Sequence, residues 1–147
     1  MTSILLVEDD ENDVLFLRHS FAKAGVDTPV HQVGSGQDAI DYLAGTGAFA
    51  DRQRHPMPSL ILLDLNLPHK TGFDVLQWIR ATPDVNATVV IVLTASRAEA
   101  DIARAYSLHA NSYIVKPSKP HELAQFALLL RDYWLHWNEA PPRANRL

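Results

Sequence analysis

Five short apolar segments alternate along the chain with longer amphipathic segments, and this alternation constrains the fold more than any other feature. The apolar segments are residues 3–7, 30–33, 60–63, 89–93 and 112–115. Amphipathic segments follow them at about 11–24, 36–43, 72–81, 97–108 and 120–138. Strands that are hydrophobic on both faces are typical of parallel sheets covered by helices. The pattern predicts an α/β fold: a five-stranded parallel sheet with right-handed crossovers and helices on both faces.

The length of the chain suits a single domain. With 147 residues, 47% of them apolar and 20% charged, the composition is that of an average soluble protein. We expect one domain over residues 1–147, with an extended last helix at about 120–138 and a short tail at 139–147. Pro141 and Pro142 prevent that helix from continuing. On this expectation no room is left for an output domain.

Charge and hydropathy exclude several classes of protein. The net charge of −4 and a pI near 5.9 argue against a nucleic-acid binder, which normally has a basic surface. The longest apolar runs are far too short to cross a membrane, and the N-terminus lacks the features of a secretory signal. There are no cysteines for disulfides or thiolate metal sites. We therefore expect a cytoplasmic protein.

The residues that follow four of the five predicted strands include several that suit phosphoryl transfer. They are Glu8, Asp9 and Asp10 after the first, Asp64 after the third, Thr94 and Ala95 after the fourth, and Lys116 and Pro117 after the fifth. Ligands of open α/β sheets bind at the carboxyl ends of the strands, so these groups should converge. Clustered carboxylates suit a hard cation such as Mg²⁺, an Asp can act as a nucleophile, and a lysine or hydroxyl can contact phosphoryl oxygens.

Taken singly, each of these residues would more often be a helix cap or an exposed surface residue than a functional one. The functional interpretation depends on several suitable residues occurring together at four different strand ends. At these positions the sequence resembles the receiver domains of two-component response regulators. The resemblance covers about residues 3–137, and its matching segments are LLVEDD at 5–10, ILLDLNLP at 61–68 with Gly72, LTA at 93–95 and YIVKP at 113–117.

The resemblance implies a flavodoxin-like receiver fold with strand order 2-1-3-4-5. It also implies a role for each matching residue. Asp64 is the phosphoacceptor, Asp9 a direct Mg²⁺ ligand, Glu8 a ligand through water and Asn66 a ligand through its backbone carbonyl. Thr94 is the switch hydroxyl, with Ala95 beside it, and Tyr113 is the aromatic residue that follows it inward. Lys116 contacts the phosphoryl oxygens, and its bond to Pro117 is expected to be cis. We interpret Asp10 as an acid that leads the first helix.

The implied function is that of a signalling protein and not an enzyme. A sensor histidine kinase donates a phosphoryl group to Asp64 with Mg²⁺ present, and slow self-dephosphorylation ends the signal. Three features resemble the stand-alone regulators of bacterial phytochrome kinases: the long 45–58 segment, the DLNLP run and the aromatic tail. The 45–58 segment is either a family insertion or a mobile surface loop. A bacterial phytochrome is therefore the expected kinase class.

Several alternatives stay open or are weakened by particular residues. A phosphorelay intermediate or phosphate sink fits the sequence as well as a terminal switch does. A phosphatase of the haloacid dehalogenase type needs a second acid two residues after its nucleophile, where this chain has Asn66. A flavin-binding module needs a phosphate-binding loop after the first strand, where Glu8, Asp9 and Asp10 would repel phosphate. A DNA-binding regulator needs a further domain and a basic surface.

The last helix carries aromatic residues beyond the length needed to cover the sheet. A helix of about 18 residues is roughly 27 Å long, whereas a strand of about five residues spans roughly 17 Å. We expect Tyr133, Trp134 and Trp137 to overhang the core and to form a homodimer interface, in preference to packing on the 45–58 segment. The seven histidines show no spacing typical of metal ligands and are interpreted as structural or surface residues.

Overall fold

The alternation of apolar and amphipathic segments gives a regular α/β architecture in the computed structural model, which describes residues 2–142. The strands are β1 (Ile4–Val7), β2 (Val30–Val33), β3 (Leu60–Leu63), β4 (Val89–Thr94) and β5 (Ser112–Val115). The helices are α1 (Glu11–Lys23), α2 (Gly36–Ala44), α3 (Gly72–Ala81), α4 (Glu99–Ser107) and α5 (Pro120–Leu129). A 3₁₀ turn lies at Gly47–Phe49, and a π-helical segment, Leu130–Trp137, continues α5.

The strands form one parallel sheet in the order β2-β1-β3-β4-β5, as predicted. Every residue of β1, β3 and β4 is buried, which explains why these segments are apolar at successive positions. Alternate strand residues enter two cores. One core includes Leu5, Ile61 and Val90 beneath α2, α3 and α4, and the other includes Ile4, Leu62 and Ile91 beneath α1 and α5.

Local signals in the sequence set the starts of the helices that lead away from the strand ends. Asp10 caps α1, its side chain accepting from the amides of Asn12 and Asp13. Ser35 caps α2, and Thr71 forms a capping box with Asp74 at the start of α3. Because β1, β2 and β3 are parallel, the loops that carry these caps all begin at the same edge of the sheet.

The 45–58 segment is tied to the end of α2 by one arginine. Arg52 donates to the backbone carbonyls of Tyr42, Leu43 and His55, with distances of 2.6–3.1 Å. The Tyr42 hydroxyl donates to the carbonyl of Pro56, and the rings of Tyr42, Phe49 and His55 contact one another. Of the two interpretations given above, the structure therefore favours an ordered insertion packed against the domain.

The C-terminal aromatic residues lie in a segment with π-helical geometry, where the rings of Tyr133 and Trp134 meet edge to face with centroids 5.0 Å apart. The amide of Asn138 donates to the carbonyl of Tyr133, five residues earlier, so successive side chains turn less than they would in an α-helix. Trp134 is half-buried and packs against the core beneath α1 and α5. Tyr133 and Trp137 remain 48% and 74% exposed. The three residues of the predicted interface are thus divided between local packing and solvent.

Between residues 2 and 142, no helix combines the length and the apolar character that crossing a membrane requires.

Candidate functional site

The loops that follow β1, β3, β4 and β5 bring most of the predicted residues to one edge of the sheet. Glu8 and Asp64 are buried there, Thr94 is completely buried, and Asp9 is exposed. Gly72 allows the loop after Asp64 to close tightly, since a Cβ atom at this position would overlap the carbonyl oxygen of Asp64. The fold therefore places a buried carboxylate at the base of a site that opens toward Asp9.

Three carboxylates of this edge are close enough to bind one metal ion. Oxygen atoms of Glu8, Asp9 and Asp64 all lie within 4.8 Å of one another. Carboxylate oxygens are the preferred ligands of hard divalent cations, and a cation would relieve the repulsion among the three groups. The donor set therefore fits a divalent cation.

Lys116 supplies the positive charge that these carboxylates share. Its ammonium donates to Asp64 Oδ2 at 2.9 Å and to Asp13 Oδ2 at 2.8 Å, and it forms a third ion pair with Glu8. Burial would lower the pKa of Lys116, but the bonds to Asp13, Glu8 and Asp64 outweigh it and raise that pKa above its usual value. Lys116 is therefore a fixed cation next to the predicted phosphoacceptor.

The site holds more carboxylates than it can neutralise by itself. Burial raises the pKa of Glu8 to about 7, and the charge of Asp64 adds to this effect, although the bond to Lys116 opposes it. Glu8 is only 2% exposed. A bound proton or a further cation is therefore needed to balance the negative charge of the pocket near neutral pH.

Asp64 is bonded on both oxygens. The Thr94 hydroxyl donates to Oδ1 at 2.8 Å, and the amide of Asn66 donates to the same atom at 3.2 Å, while Lys116 binds Oδ2. The hydroxyl of Tyr113, half-buried, donates to the carbonyl of Ser96 at 3.0 Å, two residues beyond Thr94. Thr94 is thus in contact with Asp64, and Tyr113 with the loop that follows Thr94.

Two other predicted residues lie at the rim of the site. Ala95 is exposed next to Thr94, and the side chain of Asn66 is exposed beyond Asp64. Within residues 2–142 every peptide bond is trans, so the predicted cis bond between Lys116 and Pro117 is wrong. Trans is the lower-energy form of such a bond by about 0.5–1 kcal/mol, and Lys116 reaches its three carboxylates with the bond trans.

The three-acid run divides into different roles, and one further acid was missed. Asp10 caps α1, in agreement with its interpretation as an acid that leads the helix. Asp13, in the first turn of α1, contacts Lys116. Its partner lies 103 positions away, which no local pattern indicates.

Comparisons with known proteins agree with this geometry. Residues 4–127 match the family model of the response regulator receiver domain. The chain is 35% identical over 138 residues to the probable methanogenesis regulatory protein FilR2 of Methanothrix harundinacea, covering 94% of this chain and 86% of FilR2. It is 35% identical over 132 residues to response regulator Rcp1 of Synechocystis, covering 90% and 88%.

Solved structures give the same result. The phosphorylated cyanobacterial phytochrome response regulator RcpA superimposes with a TM-score of 0.88 at 36% identity, over 96% of this chain and 99% of RcpA. The Mn²⁺-bound form of Rcp1 superimposes with a TM-score of 0.86 at 33% identity, over 97% and 100%. The strand order, the acidic edge and these matches lead to one conclusion: the chain belongs to the response regulator receiver family, whose members are phosphoacceptors in two-component signalling, and its close relatives include phytochrome response regulators.

Proposed function

We propose that this protein accepts a phosphoryl group on Asp64 from a sensor histidine kinase of the phytochrome class, with Mg²⁺ bound by Glu8, Asp9, Asp64 and the backbone carbonyl of Asn66. The observation that carries the proposal is the surroundings of Asp64: a buried carboxylate bonded by Thr94 and Lys116, beside two further carboxylates. The similarity to RcpA, a cyanobacterial phytochrome response regulator, supports a phytochrome partner.

In this mechanism a carboxylate oxygen of Asp64 attacks the phosphorus of a phosphohistidine. An O–P bond forms as the N–P bond breaks, and the electron pair of that bond returns to the imidazole, which takes up a proton. When bound, Mg²⁺ supplies neutralisation of the charge on the phosphoryl oxygens. Lys116 provides a second positive charge at Asp64 Oδ2, and Ala95 lies at the rim, beside the incoming group.

Thr94 and Tyr113 are the residues through which we propose that phosphorylation is sensed. The Thr94 hydroxyl, which now donates to Asp64 Oδ1, would donate instead to a phosphoryl oxygen. Tyr113 is bonded to the loop that follows Thr94 and would move with it. The charge change at Asp64 thereby shifts the population of conformations on the side of the domain formed by α4, β5 and α5. Slow hydrolysis of the acyl phosphate in the cytoplasm would reset the protein.

Intact-mass measurement tests the proposed acceptor. With acetyl phosphate and Mg²⁺, the wild-type protein should gain the mass of one phosphoryl group, and Asp64→Asn should gain none. Asp10→Asn is the matched control, because it makes the same chemical change at the start of α1 and keeps a side chain that caps helices equally well. A full adduct on Asp64→Asn would contradict the assignment.

We also propose that the protein forms a homodimer through the π-helical segment. Tyr133 and Trp137 are large, exposed aromatic residues there, and Leu129, at the preceding turn, is 54% exposed. Trp134 supports the interface from beneath, since it packs against the core.

Sedimentation tests this interface. Replacing Tyr133 and Trp137 together with Glu should give a monomer, because a two-fold contact would bring the new charges together. Tyr106→Glu changes a tyrosine that is equally exposed, on α4, and should leave a dimer. A wild-type protein that sediments as a monomer at tens of micromolar, with or without phosphorylation, would rule the dimer out.

A further inference from the structure

Lys116 has one partner that the proposed phosphoryl transfer does not use. An ammonium group has three N–H donors, and those of Lys116 meet three carboxylates: Glu8, Asp64 and Asp13. The side chain of Lys116 is 18% exposed, so few other acceptors can reach it. All three donors are therefore engaged within the pocket.

The three acceptors are not equivalent. Glu8 and Asp64 stand at the ends of β1 and β3 and belong to the carboxylate cluster that fits a cation. Asp13 is absent from that cluster, lies in the first turn of α1, and has a side chain that is 37% exposed. When a cation and a phosphoryl group engage Glu8 and Asp64, Asp13 is the one acceptor of the three that can still bind the Lys116 ammonium.

We infer that Asp13 is a positioning residue for the phosphoryl transfer: it holds the Lys116 ammonium from the side of α1 while Asp64 is phosphorylated. Asp13 does not touch the phosphoryl group and acts through Lys116. The inference rests on the proposed function, because it takes Asp64 as the acceptor and Lys116 as the group beside it. It assigns a role in the reaction to the start of helix α1.

The need for such a residue follows from the chemistry of lysine. A lysine ammonium is a point charge at the end of four flexible methylene groups, and it has no preferred orientation of its own. With Asp13 in place, one N–H is fixed and the others are directed toward Glu8 and Asp64. Without Asp13, the ammonium can turn toward water in the interval when the strand-end carboxylates are engaged elsewhere.

Loss of the contact between Asp13 and Lys116 should change the rate of phosphoryl transfer in the direction opposite to that expected from the change in net charge alone. Removing an acid near the pocket makes the local potential less negative, which should attract an anionic phosphodonor and increase the rate. Removing the anchor of Lys116 should instead slow the chemical step. Glu11, exposed in the same helical turn, provides the charge-only control.

The experiment measures phosphoryl uptake against acetyl phosphate concentration, at saturating Mg²⁺, for four proteins. Asp13→Ala should lower the maximal rate about tenfold, the size expected for one charge-assisted hydrogen bond. Asp13→Asn keeps an acceptor oxygen in the same place and should recover to within about threefold of wild type. Glu11→Gln should equal or slightly exceed wild type.

A second readout needs no phosphodonor. Acetylation of lysines by a mild acylating reagent in the presence of Mg²⁺, followed by peptide mass measurement, reports how freely Lys116 moves, with Lys23 as the reference in the same sample. Lys116 should react several-fold faster in Asp13→Ala than in wild type and be unchanged in Glu11→Gln.

The inference is wrong if Asp13→Ala transfers at the wild-type rate or accelerates as Glu11→Gln does, or if Lys116 labelling does not change. Should the alanine variant melt below the assay temperature, Asp13→Ser serves the same test: its side chain ends short of the position of Asp13 Oδ2, so it should show the same loss of rate and the same faster labelling of Lys116. A wild-type protein that takes up no phosphoryl group, or takes it up without Asp64, would contradict the proposed function instead.

Discussion

The two ends of the central sheet both bury charged side chains, but they satisfy them in different ways. At the carboxyl end, Lys116 is shared among Glu8, Asp13 and Asp64, with Asp9 exposed nearby. At the amino end, Arg80 donates to the backbone carbonyls of Asn86, Thr88 and His109 and to the side chain of Asn111. Arg52 donates to three further carbonyls at the end of α2 and in the 45–58 segment.

The difference separates a binding site from a structural clamp. The carbonyl groups accept the N–H bonds of each guanidinium without adding negative charge, and the arginine joins the ends of nearby loops. Several carboxylates around one ammonium leave negative charge in excess at the carboxyl end, where burial and, to a smaller extent, the charge of Asp64 raise the pKa of Glu8 to about 7. This excess of negative charge indicates a cation-binding site, whereas the arginines of the amino end donate to neutral groups of the chain.

The largest predicted effect tests the amino end. Arg52→Met should lower the free energy of unfolding by about 2–3 kcal/mol, because three carbonyls lose a charged donor. Denaturant unfolding measures this, with Arg54→Met, an exposed arginine of the same segment, as the control. Phosphoryl uptake of the folded Arg52→Met protein should stay at the wild-type rate. A large loss of uptake with normal stability would show that the two ends are not independent.

The carboxyl end should respond in the opposite manner. Asp9→Asn should weaken Mg²⁺ binding about tenfold or more without loss of stability, since it removes one of the clustered carboxylates and relieves repulsion. Asp10→Asn should change affinity less than about twofold, because Asp10 caps α1. Calorimetric titration distinguishes the two, and equal effects would overturn the division of roles in the three-acid run.

A smaller effect is expected from pH. The pKa of Glu8 is raised to about 7, so this carboxyl binds a proton in the folded protein as the pH falls below that value. Mg²⁺ affinity should therefore drop by at most about tenfold between about pH 8 and pH 6, because a cation competes with that proton. Glu8→Gln should bind more weakly and lose most of this dependence. An affinity of the wild type that is constant over this range would show that Glu8 is charged throughout.

The sequence was sufficient for the fold because the fold depends on local patterns. Strands with apolar residues at successive positions and helices with one apolar face appear directly in the chain, and Ser35 marked the start of α2. The convergence of Glu8, Asp64, Thr94 and Lys116 followed from the rule that parallel strands end at one edge. These predictions needed no knowledge of side-chain geometry.

What could not be predicted depends on contacts between distant residues. Lys116 and Asp13 lie 103 positions apart, and the bonds of Arg52 depend on the path of a segment that has no periodic pattern. The π-helical geometry of Leu130–Trp137 was not predicted either, nor was the packing of Trp134 against the core. The trans bond at Pro117 differs from the expectation carried over from the family.

The central claim is that phosphotransfer takes place on Asp64, at the carboxyl end of the sheet. The most direct measurement is to phosphorylate the protein with a histidine kinase and Mg²⁺, reduce the acyl phosphate with borohydride, and locate the reduced side chain by peptide sequencing. We predict that Asp64 alone is reduced, in the wild type and in Arg52→Met. A reduced residue at Asp9, Asp10 or Asp13, with Asp64 unmodified, would contradict the account.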